Sequence, residues 1–410
     1  MYPKAALVCL VVLALAWGLN GGVALAGDGE GVDNMGADRG NSAASAGEAG
    51  QVGRKVLEGV PAIGFGITPC LCFVGSVAAS LQYLGEDIPG DYAMGVSGGA
   101  FKTFWIPPWD GGNCDLLMIG DEPIRRTFAA LGYEYSLVRP PANATPAQVK
   151  ESLRPAIVEQ INAGRPVIAS GVVGPPEACV VAGYEQGGDV LYGQSYFQES
   201  REGYFRSDRW EENCYGLILI GEKKAAPSPR QVLEDTLEWA IELIRVPEHS
   251  GGGLPKERLI SGVAAYEAMA QALEREAEWE FTLDDKDTMQ LRCFAISNDG
   301  VHLMHCERAA AARFLRRMAE EELPGADELR KAAAAYEEEL PVLERACRLA
   351  PFSFAPDSER EKLLDPEHRR QLASVVRQAK AYEERAVEHL ERARQALKES
   401  GKSAADQGRS

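Results

Sequence analysis

Apolar and small residues recur at helical spacing over 72–84, and Gly85 follows as a stop, so the pattern predicts a helix there. Two more helices are predicted over 122–131 and 146–163, each closed by a glycine, Gly132 and Gly164. Apolar runs between turn residues then predict strands at 166–173, 179–184, 190–192 and 217–220. Gln186-Gly187-Gly188-Asp189 separates the second and third of these, which should therefore pair as a hairpin. Helices that precede a run of short strands give an α+β order with a small antiparallel sheet, and not a βαβ order.

From residue 228 onward the periodicity is helical almost throughout, over 230–244, 259–276, 301–322, 326–350 and 367–399. In the last of these, Leu372, Val376, Ala379, Tyr382, Ala386, Leu390, Ala393 and Leu397 form one apolar stripe. Its Glu- and Arg-rich opposite face is a solvated one. The start of the chain has a different character. Lys4, an apolar stretch over 5–17 and the small residues Ala24-Leu25-Ala26 have the form of a secretory signal over 1–26. The stretch is too short to span a bilayer. Residues 27–55 are rich in Gly, Ala, Asp and Ser, so a disordered leader is expected there. The expected organisation is thus signal, leader, an α+β domain over 56–222, an all-α domain over 228–400 and a frayed tail over 401–410.

Composition narrows the partners. A formal net charge of −18 repels phosphate backbones and anionic lipid, which argues against nucleic acid and against a membrane surface once the signal is removed. The signal points to export, into a periplasm or outside the cell. Of nine cysteines, Cys9 would leave with it. The rest would meet an oxidising compartment, where disulfides are permitted but their pairing is not set by the sequence.

The candidate chemistry centres on Cys72, the residue that opens the first predicted helix. Helix-terminal N–H groups and the dipole favour a thiolate at that position, and cysteine hydrolases and acyltransferases use it for their nucleophile. Cys70 lies close enough to take the role instead, and a buried structural thiol is the plain alternative. The run 72–85, Met94-Gly-Val-Ser-Gly-Gly-Ala-Phe101, Gly164-Arg-Pro-Val-Ile168 and Ala178-Cys-Val-Val-Ala-Gly-Tyr184 together resemble the N-terminal domain of the butirosin-biosynthesis acyltransferase H family. That domain is similar to papain-like, bacteriocin-processing cysteine peptidases. The resemblance covers 56–222 and implies a papain-like fold with Cys72 as nucleophile. It places Glu177 where the family has its catalytic histidine and Gln194 near the third catalytic position.

No histidine occurs within 56–222; all five lie in the helical half, from which one could reach across. A glutamate beside a thiol raises the thiol pKa, so Glu177 is an unusual base. Trp105, Trp109 and Tyr196 belong to an aromatic-rich region suited to lining a ligand cleft for a peptide or acyl-type small molecule. His302, His305 and Cys306 share one stretch of helix but have no local fourth ligand, so they are taken as packing residues and no metal site is assigned. Ser97-Gly98-Gly99 has no Lys-Ser/Thr after it, and no cofactor motif is present. Two functions are expected on this reading. One is an exported papain-like cysteine acyltransferase or amide hydrolase, and the other is a catalytically silent module of that fold that binds a peptide or small ligand.

Overall fold

A computed structural model of the chain describes residues 53–111, 113, 116–250 and 258–407, with side chains to residue 401. The expected signal, and the expected leader as far as residue 52, lie outside the described residues.

The first half is built on a seven-stranded antiparallel sheet. Its strands are β1 (Lys55–Val56), β3 (Tyr133–Val138), β4 (Val167–Ser170), β5 (Ala178–Glu185), β6 (Val190–Gln194), β7 (Phe205–Ser207) and β8 (Gly216–Lys223). They run in the order β3-β8-β4-β5-β6-β7, and β1 adds to β5. The predicted hairpin is present. Glu185 pairs with Val190 and Tyr184 with Leu191, and Gly187 (φ 65°) and Gly188 (φ 100°) supply the left-handed turn residues. β4 is buried along its whole length and β5 along all but its last residue, because α1 (Cys72–Tyr83) and α4 (Pro146–Asn162) both pack against them. This explains why the two strands are nearly unbroken apolar runs.

α2 (Gly90–Ser97) and β3 carry no clear periodic signal in the sequence. β3 alternates half-buried and exposed residues at the sheet edge, directly after the Gly132 that closes α3 (Glu122–Leu131), so its apolar signal is weak.

The second half is helical. It comprises α5 (Pro229–Arg245), α6 (Gly262–Glu274), α7 (Lys286–Cys293), a π-helical turn (Phe294–Val301), α8 (His302–Glu320), α9 (Ala326–Leu349) and α10 (Pro366–Gln407). A capping box between Ser228 and Gln231 starts α5. α10 continues beyond Glu399, the predicted end of this helix, into the segment over 401–407 expected to fray. Among the described residues no helix is long and apolar enough to cross a membrane.

The two halves share a core. A single cluster of buried side chains runs from the sheet through α1 and α2 to Phe314 and Leu315 of α8, Leu329 and Tyr336 of α9 and Leu390 of α10. In return, the segment after α2 enters the helical half. Phe104 and Trp105 form a two-residue strand, β2, that pairs with β9 (Ile260–Ser261).

The α2–α8 contact depends on a missing side chain. A Cβ on Gly95 would fall 2.2 Å from the Cδ2 atom of the fully buried Phe314 ring. Gly95→Ala is therefore expected to destabilise the protein by about 1–3 kcal/mol through overpacking. Urea unfolding should show a lower midpoint at an unchanged slope.

Candidate thiol site

The start of α1 is held from the sheet side by Tyr196. The Tyr196 hydroxyl donates to the Pro69 carbonyl at 2.5 Å and lies 2.6 Å from the Thr68 hydroxyl. Gly75 makes room for it, since a Cβ there would fall 1.9 Å from the Tyr196 oxygen. The segment carrying Cys70 and Cys72 is thereby fixed against the end of β6. Burial, and then the negative charge that Cys72 would carry, push the Tyr196 pKa well above its ordinary value, and Cys70 and Glu177 add to this more weakly. Tyr196 is thus the point around which Cys70, Cys72 and Glu177 gather.

Cys72 is the first residue of α1, and its side chain is buried. Glu177 is half-buried, one residue before β5. Gln194 closes β6; its amide donates to the Gly203 carbonyl at 3.3 Å, and its side-chain oxygen is buried without a hydrogen-bond partner. The three aromatic residues do not share a cleft. Trp105 and Trp109 pack edge to face in the core of the helical half, where Trp109 meets Trp279, whereas Tyr196 belongs to the core shared with the sheet. Both tryptophans are 1 % exposed. Two surface grooves of about 350 and 290 Å³ lie elsewhere, one between α3 and α5 and the other beside β8.

The groups best arranged for thiol chemistry come from both halves. Cys70, half-buried ahead of α1, and His305 both act on the thiol of Cys306 in the first turns of α8. The hydrogen bond from Cys70 and that from His305, helped by the charges of His305 and Arg313, pull the Cys306 pKa down to about 5 against the opposing effect of burial. The His305 pKa is raised, first by its bond to Cys306. The Cys70 pKa moves well above its ordinary value, first because Cys70 donates to Cys306 and then through burial. A proton on His305 and a negative charge on Cys306 would thus stabilise each other, while the shift at Cys70 favours its thiol form. Glu344 of α9 lies 3.8 Å from Nε2 of His305, an ion-pair contact longer than a hydrogen bond.

No family model and no curated protein matches this chain.

Two buried polar networks fix the helix that carries His305 and Cys306. Glu307 and Arg308 follow directly, and both are fully buried. Glu307 meets Lys102 at 2.8 Å, off the line of a hydrogen bond, and accepts from the Asn113 amide at 2.5 Å. Burial raises the Glu307 pKa to about 7, and Lys102 is the chief opposing influence. Arg308 donates to Glu383 of α10 at 2.6 Å, to the carbonyls of Ala100 and Lys102 at 2.9 and 3.1 Å, and to the Thr103 hydroxyl. The first turns of α8 are thus bolted to the segment over 100–113.

His302 and His305 diverge. His302 bonds to the Ser297 carbonyl at 3.1 Å and packs on Phe352, and burial lowers its pKa to about 4. Among the described residues no three His, Cys, Asp or Glu side chains converge as metal ligands. The seven described cysteines are free thiols. Sequence reasoning had both halves of the thiol cluster in hand, Cys70 as a substitute nucleophile and His305-Cys306 as a helical pair. Their contact is a property of the tertiary fold, and no spacing encodes it.

Proposed function

We propose that this chain is an exported, papain-like, thiol-dependent acyl-transfer or amide-cleaving protein whose working nucleophile is Cys306. What carries the proposal is the His305–Cys306 pair in the first turns of α8, where Cys70 and His305 lower the Cys306 pKa to about 5. A helix that opens on a cysteine and packs on an antiparallel sheet supports the papain-like reading, and the resemblance over 56–222 supports it independently. The place of the chemistry is kept and its residues change. Cys72 is buried and Glu177 is a poor base, while the histidine arrives from the helical half.

The steps follow from the pair. The Cys306 thiolate adds to an acyl carbonyl and forms a C–S bond. His305 gives its proton to the departing amine or thiol as the bond to that group breaks. An acceptor amine or water then attacks the thioester and returns its proton to His305, which restores the thiolate. Cys70 holds the charge in place between turnovers, and Glu344 attracts the imidazolium. The substrate class is a peptide or acyl-type small molecule.

An activated acyl thioester tests this reading. Intact-mass analysis should show one acyl adduct that maps to Cys306, is lost in Cys306→Ser and is retained in Cys72→Ala. An adduct on Cys72 would return the nucleophile to the start of α1. No adduct on any thiol would favour the silent ligand-binding module. That second reading has an observation of its own, because the grooves of about 350 and 290 Å³ open away from the thiols.

A further inference from the structure

We propose that Lys102 and Asn113 join through an intramolecular isopeptide bond, a cross-link the chain makes by itself with Glu307 of α8 as proton shuttle. The three side chains meet away from bulk water, each of them fully buried. Nζ of Lys102 donates to Oδ1 of Asn113 at 2.8 Å and to the Asn113 backbone carbonyl at 2.5 Å. Both ends of the amide are fixed, which sets its orientation. The Phe104 N–H donates to Oδ1 at 3.0 Å, and Nδ2 donates to Oε2 of Glu307 at 2.5 Å. Oε1 of the same carboxyl lies 2.8 Å from Nζ and accepts from no other donor. One carboxyl thus touches both the amine that would attack and the nitrogen that would leave. The backbones are held as well. The Asn113 N–H donates to the Asp299 carbonyl at 2.7 Å, and the Lys102 carbonyl accepts from Arg308 at 3.1 Å. Reacting groups held in place in this way need little further ordering to react.

The steps balance without an oxidant. Oε1 of Glu307 takes a proton from the Lys102 ammonium, and the lone pair of the amine attacks Cγ of Asn113. The negative charge that develops on Oδ1 is met by the Phe104 N–H, which already points at it. Glu307 passes its proton to Nδ2 and takes another from Nζ. The Cγ–Nδ2 bond breaks, ammonia leaves and the carbonyl re-forms. An ammonium and a primary amide become a secondary amide and an ammonium ion. Burial raises the Glu307 pKa to about 7, which suits this carboxyl to take a proton and return it. Exclusion of water suppresses the rival hydrolysis of Asn113 to aspartate. The bond closes the loop over 102–113, which holds β2 and Trp109, and so secures the segment by which the first half enters the helical half. It does not depend on thiol chemistry at Cys306.

The test is a tryptic map of the whole chain, reduced, alkylated and unfolded before digestion. No Lys or Arg lies between Lys55 and Lys102 or between Lys102 and Arg125. The linked form should therefore give one peptide over 56–125, uncut after Lys102 and lighter than its sequence by one ammonia. Fragmentation should place the link between Lys102 and Asn113. Asn113→Ala should give the separate peptides over 56–102 and 103–125, and so should Glu307→Gln, which keeps the shape of the side chain but cannot carry the proton. The wild-type map decides the matter even if a variant fails to fold. Separate wild-type peptides at their sequence masses would overturn the proposal. So would loss of ammonia with Lys102 still cut, since that marks a succinimide at Asn113. A Glu307→Gln protein that links as fully as the wild type would overturn the role given to Glu307.

Discussion

Exchanging Arg308 for methionine is expected to cost about 3–5 kcal/mol of folding stability, because it removes one partner of a fully buried ion pair. Glu383 loses its counter-charge, and the carbonyls of Ala100 and Lys102 lose their donors. Glu339→Gln, linked to Glu383 through the Tyr266 hydroxyl, is expected to cost no more than about 1 kcal/mol, the scale of one neutral hydrogen bond. The contrast follows from protonation. Burial first, and then the charge of Glu383, raise the Glu339 pKa well above the carboxylate range, which favours the neutral acid, and its carboxyl accepts from the Tyr266 hydroxyl at 2.9 Å.

The pH dependence has a definite sign. In the unfolded chain Glu339 gives up its proton above about pH 4.3, whereas the folded protein keeps it until the raised value is reached. Across that window Glu339 makes the wild type less stable as pH rises, and glutamine has no proton to release. Glu339→Gln should therefore gain on the wild type as pH rises above the unfolded value, by at most about 1.4 kcal/mol per pH unit, until the folded carboxyl ionises. Urea unfolding of the wild type and both variants at pH 5 and 7 checks both statements. Equal losses for the two variants would mean that Glu339 shares the charge that balances Arg308.

The second large effect concerns the thiols. Cys70→Ala is expected to move the Cys306 titration upward by more than one pH unit, because the hydrogen bond from Cys70 is the largest influence holding it down. His305→Gln should move it in the same direction by less. If Cys70→Ala returns Cys306 to an ordinary thiol value near 8.5, the thiolate fraction at pH 6.5 drops about 100-fold, and acyl-adduct formation drops with it. A purely structural role for Cys70 would change stability and leave the pH profile of Cys306 where it was. The groups facing Cys306 in this experiment are Cys70, His305, Arg313 and Cys347, with Glu344 behind His305.

Much of the fold is legible in the pattern of residues, because α1, α3, α4 and the β5–β6 hairpin each have a local signal: an apolar period, a capping residue or a glycine turn. Of the helices in the second half, α5, α6, α8, α9 and α10 are equally plain, whereas α7 and the π-helical turn after it are not. What escapes is non-local. Gly95 shows its purpose only when Phe314 arrives against it. Trp105 and Trp109, in a Pro- and Gly-rich loop, suit a cleft by composition, but the helical half packs around them and closes them in the core. Cys72 occupies the position that chemistry favours, yet its surroundings bury it. Arg308 and Glu307, in a helix rich in charge, give no hint that both will be fully enclosed. The absence of histidine from 56–222 is the one sequence feature that pointed outward. The contact it pointed to, between His305-Cys306 and Cys70, is made only when the two halves share their core.

The most direct test of the thiol site is the rate of iodoacetamide alkylation at each cysteine of the reduced wild-type protein, measured from pH 4 to 9 and mapped by peptide mass. Cys306 is predicted to react first, with a midpoint well on the acid side of neutrality and a flat rate from about pH 7 upward, while Cys72 stays unmodified until the protein unfolds. A Cys72 that reacts before Cys306, or a Cys306 whose rate still climbs about tenfold per unit toward pH 8.5, would contradict the account.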